Sequence, residues 1–149
     1  MKKLAIVMLL VAAGACRRHA VQSPSNAQNT PGGSTPREAL QRFMDAAKSQ
    51  DLQAMAMVWG SRSGPAQSTM DQEERDKREI IMTCFLKHDS YRILGEAPGT
   101  NGERVFAVEL KYRGLTKSTN FSAARGPSER WYVQEVQKME ALREICAAR

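Results

Sequence analysis

The apolar period of this chain switches from helical to alternating near Ser90, and that change limits the folds open to it. Before Ser90, apolar residues recur at spacings of three and four; after it they alternate, so helices precede strands. Helical runs followed by strand runs give an α+β fold with helices segregated to one face of an antiparallel sheet.

The helical half opens on Thr35-Pro36-Arg37-Glu38, which supplies a hydroxyl N-cap, proline at the first helical position and glutamate three residues after the cap. This is a capping box. The spacing predicts a helix from Pro36 that buries Ala39, Leu40, Phe43, Met44 and Ala47, with Arg37, Gln41, Arg42, Asp45 and Lys48 outward. Asp51 caps a second, shorter helix with Leu52, Met55, Ala56 and Trp59 inward and Gly60 as its stop. SRSGPAQST then reads as a loop. A third helix is expected from about Met70, where Asp71/Arg75, Glu73/Lys77 and Glu74/Arg78 are acid-first pairs at i,i+4. Its charge run reads as a solvated face, and Ile80, Ile81, Cys84 and Phe85 as its apolar side.

SYRILGE and RVFAVELKY alternate, and the intervening PGTNG carries Asn-Gly, a strong hairpin cue. In the second strand Phe106, Val108, Leu110 and Tyr112 share a face opposite Val105, Ala107, Glu109 and Lys111. Arg113-Gly114 turns the chain into LTKSTNFSAA, and Gly126-Pro127-Ser128 turns it into ERWYVQEV. A meander of about four strands follows. A last helix over 138–147 places Met139, Leu142, Ile145 and Cys146 on one side.

The remainder of the chain is of another kind. Met1-Lys2-Lys3 is a basic start, and Leu4 to Ala13 is an apolar run too short to span a bilayer, ending in Ala13-Gly14-Ala15-Cys16. That order resembles the lipobox of bacterial lipoproteins, with Ala13 where the family prefers Leu. The resemblance implies cleavage of 1–15, acylation of Cys16 and a membrane anchor. Arg17, following the cysteine in place of Asp, leans towards the outer membrane, facing the periplasm. The alternative is a plain secretory signal with Cys16 a thiol; both export the chain. Residues 20–35, AVQSPSNAQNTPGGST, are too polar to bury a core, so 16–35 reads as lipidated cysteine and disordered linker, and 36–149 as one domain.

The formal net charge of +6 falls to +4 once Lys2 and Lys3 leave with the leader. The remaining basic residues alternate with acids, which speaks against a nucleic-acid partner.

TPREALQRFMDAAKSQDLQAMAMVWG, with the Trp131-Tyr132-Val133 strand, resembles the nuclear transport factor two-like superfamily, also called SnoaL-like or cystatin-like α+β. It is especially similar to the small lipoproteins of that superfamily. The resemblance implies a curved sheet and helices forming a cone-like half barrel around a pocket, in which enzymes place an Asp, His or Tyr. Trp59, His88, Tyr91, Tyr112 and Trp131 are the pocket candidates here. Each also has a plain structural role open to it: the aromatics as packing residues, His88 as a cationic cap at a helix C-terminus. With one histidine in the domain and no Asp, Glu and Cys cluster, neither metal nor cofactor is expected, and no phosphate loop or Gly-x-Ser-x-Gly elbow occurs.

Assigning Cys16 to lipid leaves Cys84 and Cys146 as an even pair in an exported chain, predicting a disulfide, against two separate buried thiols. The expected function is a non-catalytic envelope lipoprotein that binds an envelope protein or a small apolar ligand. A ketosteroid-isomerase-like or dehydratase-like enzyme and a homodimerising structural module are the alternatives.

Overall fold

A computed structural model describes residues 29–148; the leader, Cys16 and most of the linker lie outside the described residues. Within them the fold is α+β. Helices α1 (Pro36–Ser49), α2 (Leu52–Val58), α3 (Ala66–Thr69) and α4 (Gln72–Phe85) precede a four-stranded antiparallel sheet. Its strands are β3 (Ser90–Pro98), β4 (Arg104–Tyr112), β5 (Leu115–Arg125) and β6 (Trp131–Gln137), in that spatial order. A two-residue ladder of β1 (Gly60–Ser61) and β2 (Gly64–Pro65) joins α2 to α3, where sequence patterning gives only a loop. A 3₁₀ turn (Met139–Leu142) leads into α5 (Arg143–Ala147).

Helix α1 begins where its capping box predicts. Thr35 Oγ1 accepts from the Glu38 backbone N–H at 3.1 Å, and the Glu38 carboxylate accepts from the backbone N–H of Ser34 at 2.8 Å. The reciprocal bond thus falls one residue before the cap. The Ser34 hydroxyl, which also donates to that carboxylate, together with the Ser34 N–H and the nearby Arg130 and Arg42, holds the Glu38 carboxyl below the usual carboxylate range against the opposing effect of burial. Ala39, Leu40, Phe43, Met44, Ala46 and Ala47 are buried against the sheet.

Local turn chemistry sets the sheet register. Arg113 and Gly114 both have positive φ, giving a two-residue connection between paired Tyr112 and Leu115. Asp89 Oδ2 fixes it by accepting from the Arg113 backbone N–H at 2.8 Å. Asn101 and Gly102 likewise take positive φ between β3 and β4. Register shifts at Ile93/Gly95 and at Ser122/Ala123 insert extra residues, which bend and twist a sheet locally. Leu94 is the residue displaced at the first and stands half in solvent.

Two expectations change. The segment read as linker is docked at its end: Gly33 exchanges both backbone hydrogen bonds with Trp131 (2.8 and 2.9 Å), and Gly32 N–H donates to Met57 O. Arg130 donates to the carbonyls of Pro31 and Gly32, and Arg42 to Gly32. A Cβ at Gly33 would stand 2.3 Å from the Ala39 nitrogen, so only glycine fits. Residues 31–33 are therefore part of the folded domain.

The second change is the phase of α4. Its buried residues are Glu79, Met82 and Thr83, while Ile80 and Ile81 are 59% and 53% exposed. Met82 and Leu86 reach the core and the helix packs mainly on other helices, so the inward stripe runs through 75, 79, 82 and 86. Cys84, on the flank of that stripe, meets Cys146 of α5 at disulfide distance, with Cα atoms 4.8 Å apart.

Substituting Ile80→Lys or Ile81→Lys is expected to leave unfolding free energy within about 0.5 kcal/mol, whereas Leu142→Ala should lose about 2–5 kcal/mol. Urea titration distinguishes the two classes. Replacing both Cys84 and Cys146 by alanine should lose about 4 kcal/mol, because the bond closes a separation of 62 residues. An unchanged urea midpoint in the double variant would show that the bond contributes nothing.

Candidate functional site

The space between helices and sheet is occupied. Leu40, Phe43, Met44, Met55, Phe106 and Phe121 are fully buried there, joined by Val108, Leu110, Val133, Leu142 and Ile145 in one cluster. Phe85 and Trp131 pack against its edge. Open hollows occur instead as surface grooves around the helices and beside β3.

The five candidates from sequence separate into different places. Trp59 is buried at the end of α2, where its backbone bridges Val133, and Trp131 begins β6 beside Gly33. Tyr112 ends β4, with the Arg113 guanidinium 5.6 Å from its ring centre. His88 and Tyr91 meet: their rings are 5.5 Å apart and nearly perpendicular.

His88 is buried rather than a solvated cation. Its Nδ1 lies 2.8 Å from the Leu86 carbonyl, which can only accept, so Nδ1–H donates and Nε2 keeps a bare lone pair without a partner. The histidine does cap the end of α4, but as a neutral donor. Burial pushes its pKa below the ordinary 6.5, Lys48 pushing the same way while the Leu86 bond and the carboxylates of Asp45 and Asp89 oppose. Burial, aided by Asp45, raises the Tyr91 phenol above its usual value. The pair is a packed aromatic corner.

A second cluster was not legible from the charge pattern. Arg75, expected to pair outward with Asp71, turns inward with 15% of its side chain exposed and donates to Gln67 O and Asp76 Oδ1, both at 3.3 Å. Asp71 instead caps α4 by accepting from the N–H groups of Glu73 and Glu74. Glu79, one turn on, is 1% exposed and its Oε2 stands 4.0 Å from Arg75 Nε. That gap is too long for a hydrogen bond. Glu79 Oε1 and Arg75 Nε are both buried without partners. An unsatisfied buried polar group costs about 1–3 kcal/mol, more when charged, so the arrangement opposes folding unless something completes it. Both residues line a groove of about 470 Å³ with Leu52, Gln53, Ala56, Gln67, Gln72 and Asp76.

Burial raises the Glu79 carboxyl from its ordinary 4.5 to about 7, Arg75 opposing and Asp76 reinforcing the shift. The carboxyl is therefore close to half protonated at neutral pH.

Towards the Tyr112–Leu115 turn, the outer face of the sheet is polar. Arg92, Glu109 and Ser118 lie in one cross-strand row and Ser90, Lys111 and Thr116 in the next, with Arg92 and Glu109 paired at 3.2 Å.

No protein-family model matches this chain, and no curated protein sequence does. Among the described residues no group of three or more His, Cys, Asp and Glu side chains is placed to hold a metal, and no helix is long and apolar enough to cross a membrane.

Glu79 and His88 give stability opposite pH slopes. Between pH 4.5 and 7 the folded chain holds the Glu79 proton more tightly than the unfolded chain, so stability falls as pH rises through 7. The total is about 3 kcal/mol at 1.36 kcal/mol per pKa unit. His88, with its pKa lowered, stabilises fully above 6.5 and loses that contribution as pH falls. Glu79→Gln is expected to flatten the loss between pH 5 and 8, measured by urea unfolding at each pH. An unaltered slope would show that Glu79 titrates normally.

Proposed function

We propose that this chain is a lipid-anchored bacterial envelope protein whose α+β domain binds a ligand or partner without catalysing a reaction. The lipobox-like leader supports the anchor. What carries the binding reading is the filled interior: Phe43, Phe106 and Phe121 are fully buried between helices and sheet, where the resemblance implies a pocket. The residues that line a surface groove instead include Arg75 and Glu79, each with a buried polar atom that has no partner. The nuclear transport factor two-like resemblance agrees with helices laid on one antiparallel sheet, and its binding members need no acid or base.

Anchoring is tested by Cys16→Ser. One acyl chain holds marginally and two or more hold stably, so the wild-type chain should sediment with membranes and take up radiolabelled palmitate. The variant should move to the soluble exported fraction and lose the label. Unchanged fractionation and no wild-type label would defeat the anchor. Native mass spectrometry of protein released gently from membranes should recover a bound species at near-stoichiometric amount, and steady turnover of a substrate by the pure chain would overturn the non-catalytic reading.

A further inference from the structure

The groove between α2, α3 and α4 holds two complementary buried atoms that do not reach each other. Glu79 Oε1 accepts from nothing and Arg75 Nε donates to nothing: the nearest ion-pair atoms, Arg75 Nε and Glu79 Oε2, stand 4.0 Å apart, beyond hydrogen-bond reach. We propose that this groove binds a small neutral ligand through a carboxamide group, Glu79 accepting its N–H and Arg75 donating to its carbonyl. The proposal rests on the binding-module reading and names its ligand class.

Charge and shape select that class. A cation would meet the Arg75 guanidinium, and an anion would meet both Asp76 and Glu79. No aromatic ring lines the groove, so a flat apolar or sugar face has nothing to stack on. A planar amide offers one donor and one acceptor side by side, matching the unpaired acceptor and donor of the protein. The side chains of Gln53, Gln67 and Gln72 add further amide donors and acceptors around it. A volume of about 470 Å³ lies within the ~300–1,000 Å³ of small-molecule sites.

The groups facing Glu79 also fix how binding responds to pH. Arg75 and Asp76 are charged, while Leu52, Gln53 and Ala56 of α2 and Gln67 of α3 are not. An amide N–H bonds a carboxylate more strongly than a carboxylic acid, so affinity rises as Glu79 loses its proton.

The test is an NMR titration of the full chain with N-acetylglycinamide, with N,N-dimethylacetamide, which lacks an N–H, as the control. Saturable shifts are expected at the side-chain amides of Gln53 and Gln67 and at Arg75 Nε–H. Affinity should be at least threefold higher at pH 8 than at pH 5.5, and dimethylacetamide at least tenfold weaker. Glu79→Gln should keep binding but lose its pH dependence, and Arg75→Met should abolish it. Should either variant fail to fold, the two probes and the pH series on the wild-type chain decide alone. Linear, unsaturated shifts, equal responses to both probes, or saturation away from the groove would overturn the proposal. If the amide fails while a bound species is still recovered from membranes, the groove is wrong and the binding-module reading stands; if neither binds, both fall.

Discussion

The contact on which the rest of this domain depends is the seating of Phe43 of α1 on Phe121 of β5. Their rings lie 6.1 Å apart, edge to face, and Phe121 sits in register between Phe106 of β4 and Val136 of β6. One helical aromatic thereby seats on the middle strand of three. Edge-to-face pairs contribute roughly 0.5–1.5 kcal/mol beyond the area they bury. The larger effect is geometric: with α1 held this close, Leu40, Met44 and Met55 fill what remains between layers. A chamber and this contact cannot share the same volume, so any ligand chemistry is moved to the outside of the helical layer.

The outer layer has different rules. Helix α4 packs mainly on α2, α3 and α5, away from the sheet, so its inward face need not be strongly apolar. It can carry Arg75 and Glu79 inward and leave Ile80 and Ile81 in water. The contribution of Met82 and Leu86 to the core and the Cys84 link to α5 offset that loss. Burial without a hydrogen bond is the physical cause of the raised Glu79 pKa, and His88 shows the same cause acting on a base with opposite sign.

Features that depend on a few neighbouring residues were legible in the sequence: the Thr35 cap, the Asp51 cap, the Asn101-Gly102 and Arg113-Gly114 turns, and the shared face of Phe106, Val108 and Leu110. Each is decided by local backbone chemistry or by a period of two. Helix α4 offered two stripes, and counting apolar side chains favours the one through Ile80, Ile81, Cys84 and Phe85. The stripe that faces inward contains Glu79, which no hydropathy count selects. The Gly32-Gly33 segment was missed for a similar reason. Its composition is that of a tether, and its place in the fold comes from backbone hydrogen bonds to Trp131 and Met57, nearly 100 and about 25 residues away, which side-chain patterning does not encode.

That docking changes what an anchor would do to the domain. A free linker through Thr35 would decouple the lipid end from the fold. Here Gly33 is paired into the edge of the sheet and the carbonyls of Pro31 and Gly32 are gripped by Arg130 and Arg42, so the chain enters against β6, α1 and α2 together. The entering segment thus bonds to three elements, and one of them, α2, is also a wall of the Arg75–Glu79 groove. The groove and the docked Gly32 therefore share one helix, since Met57 of α2 accepts from the Gly32 N–H while Leu52, Gln53 and Ala56 line the groove.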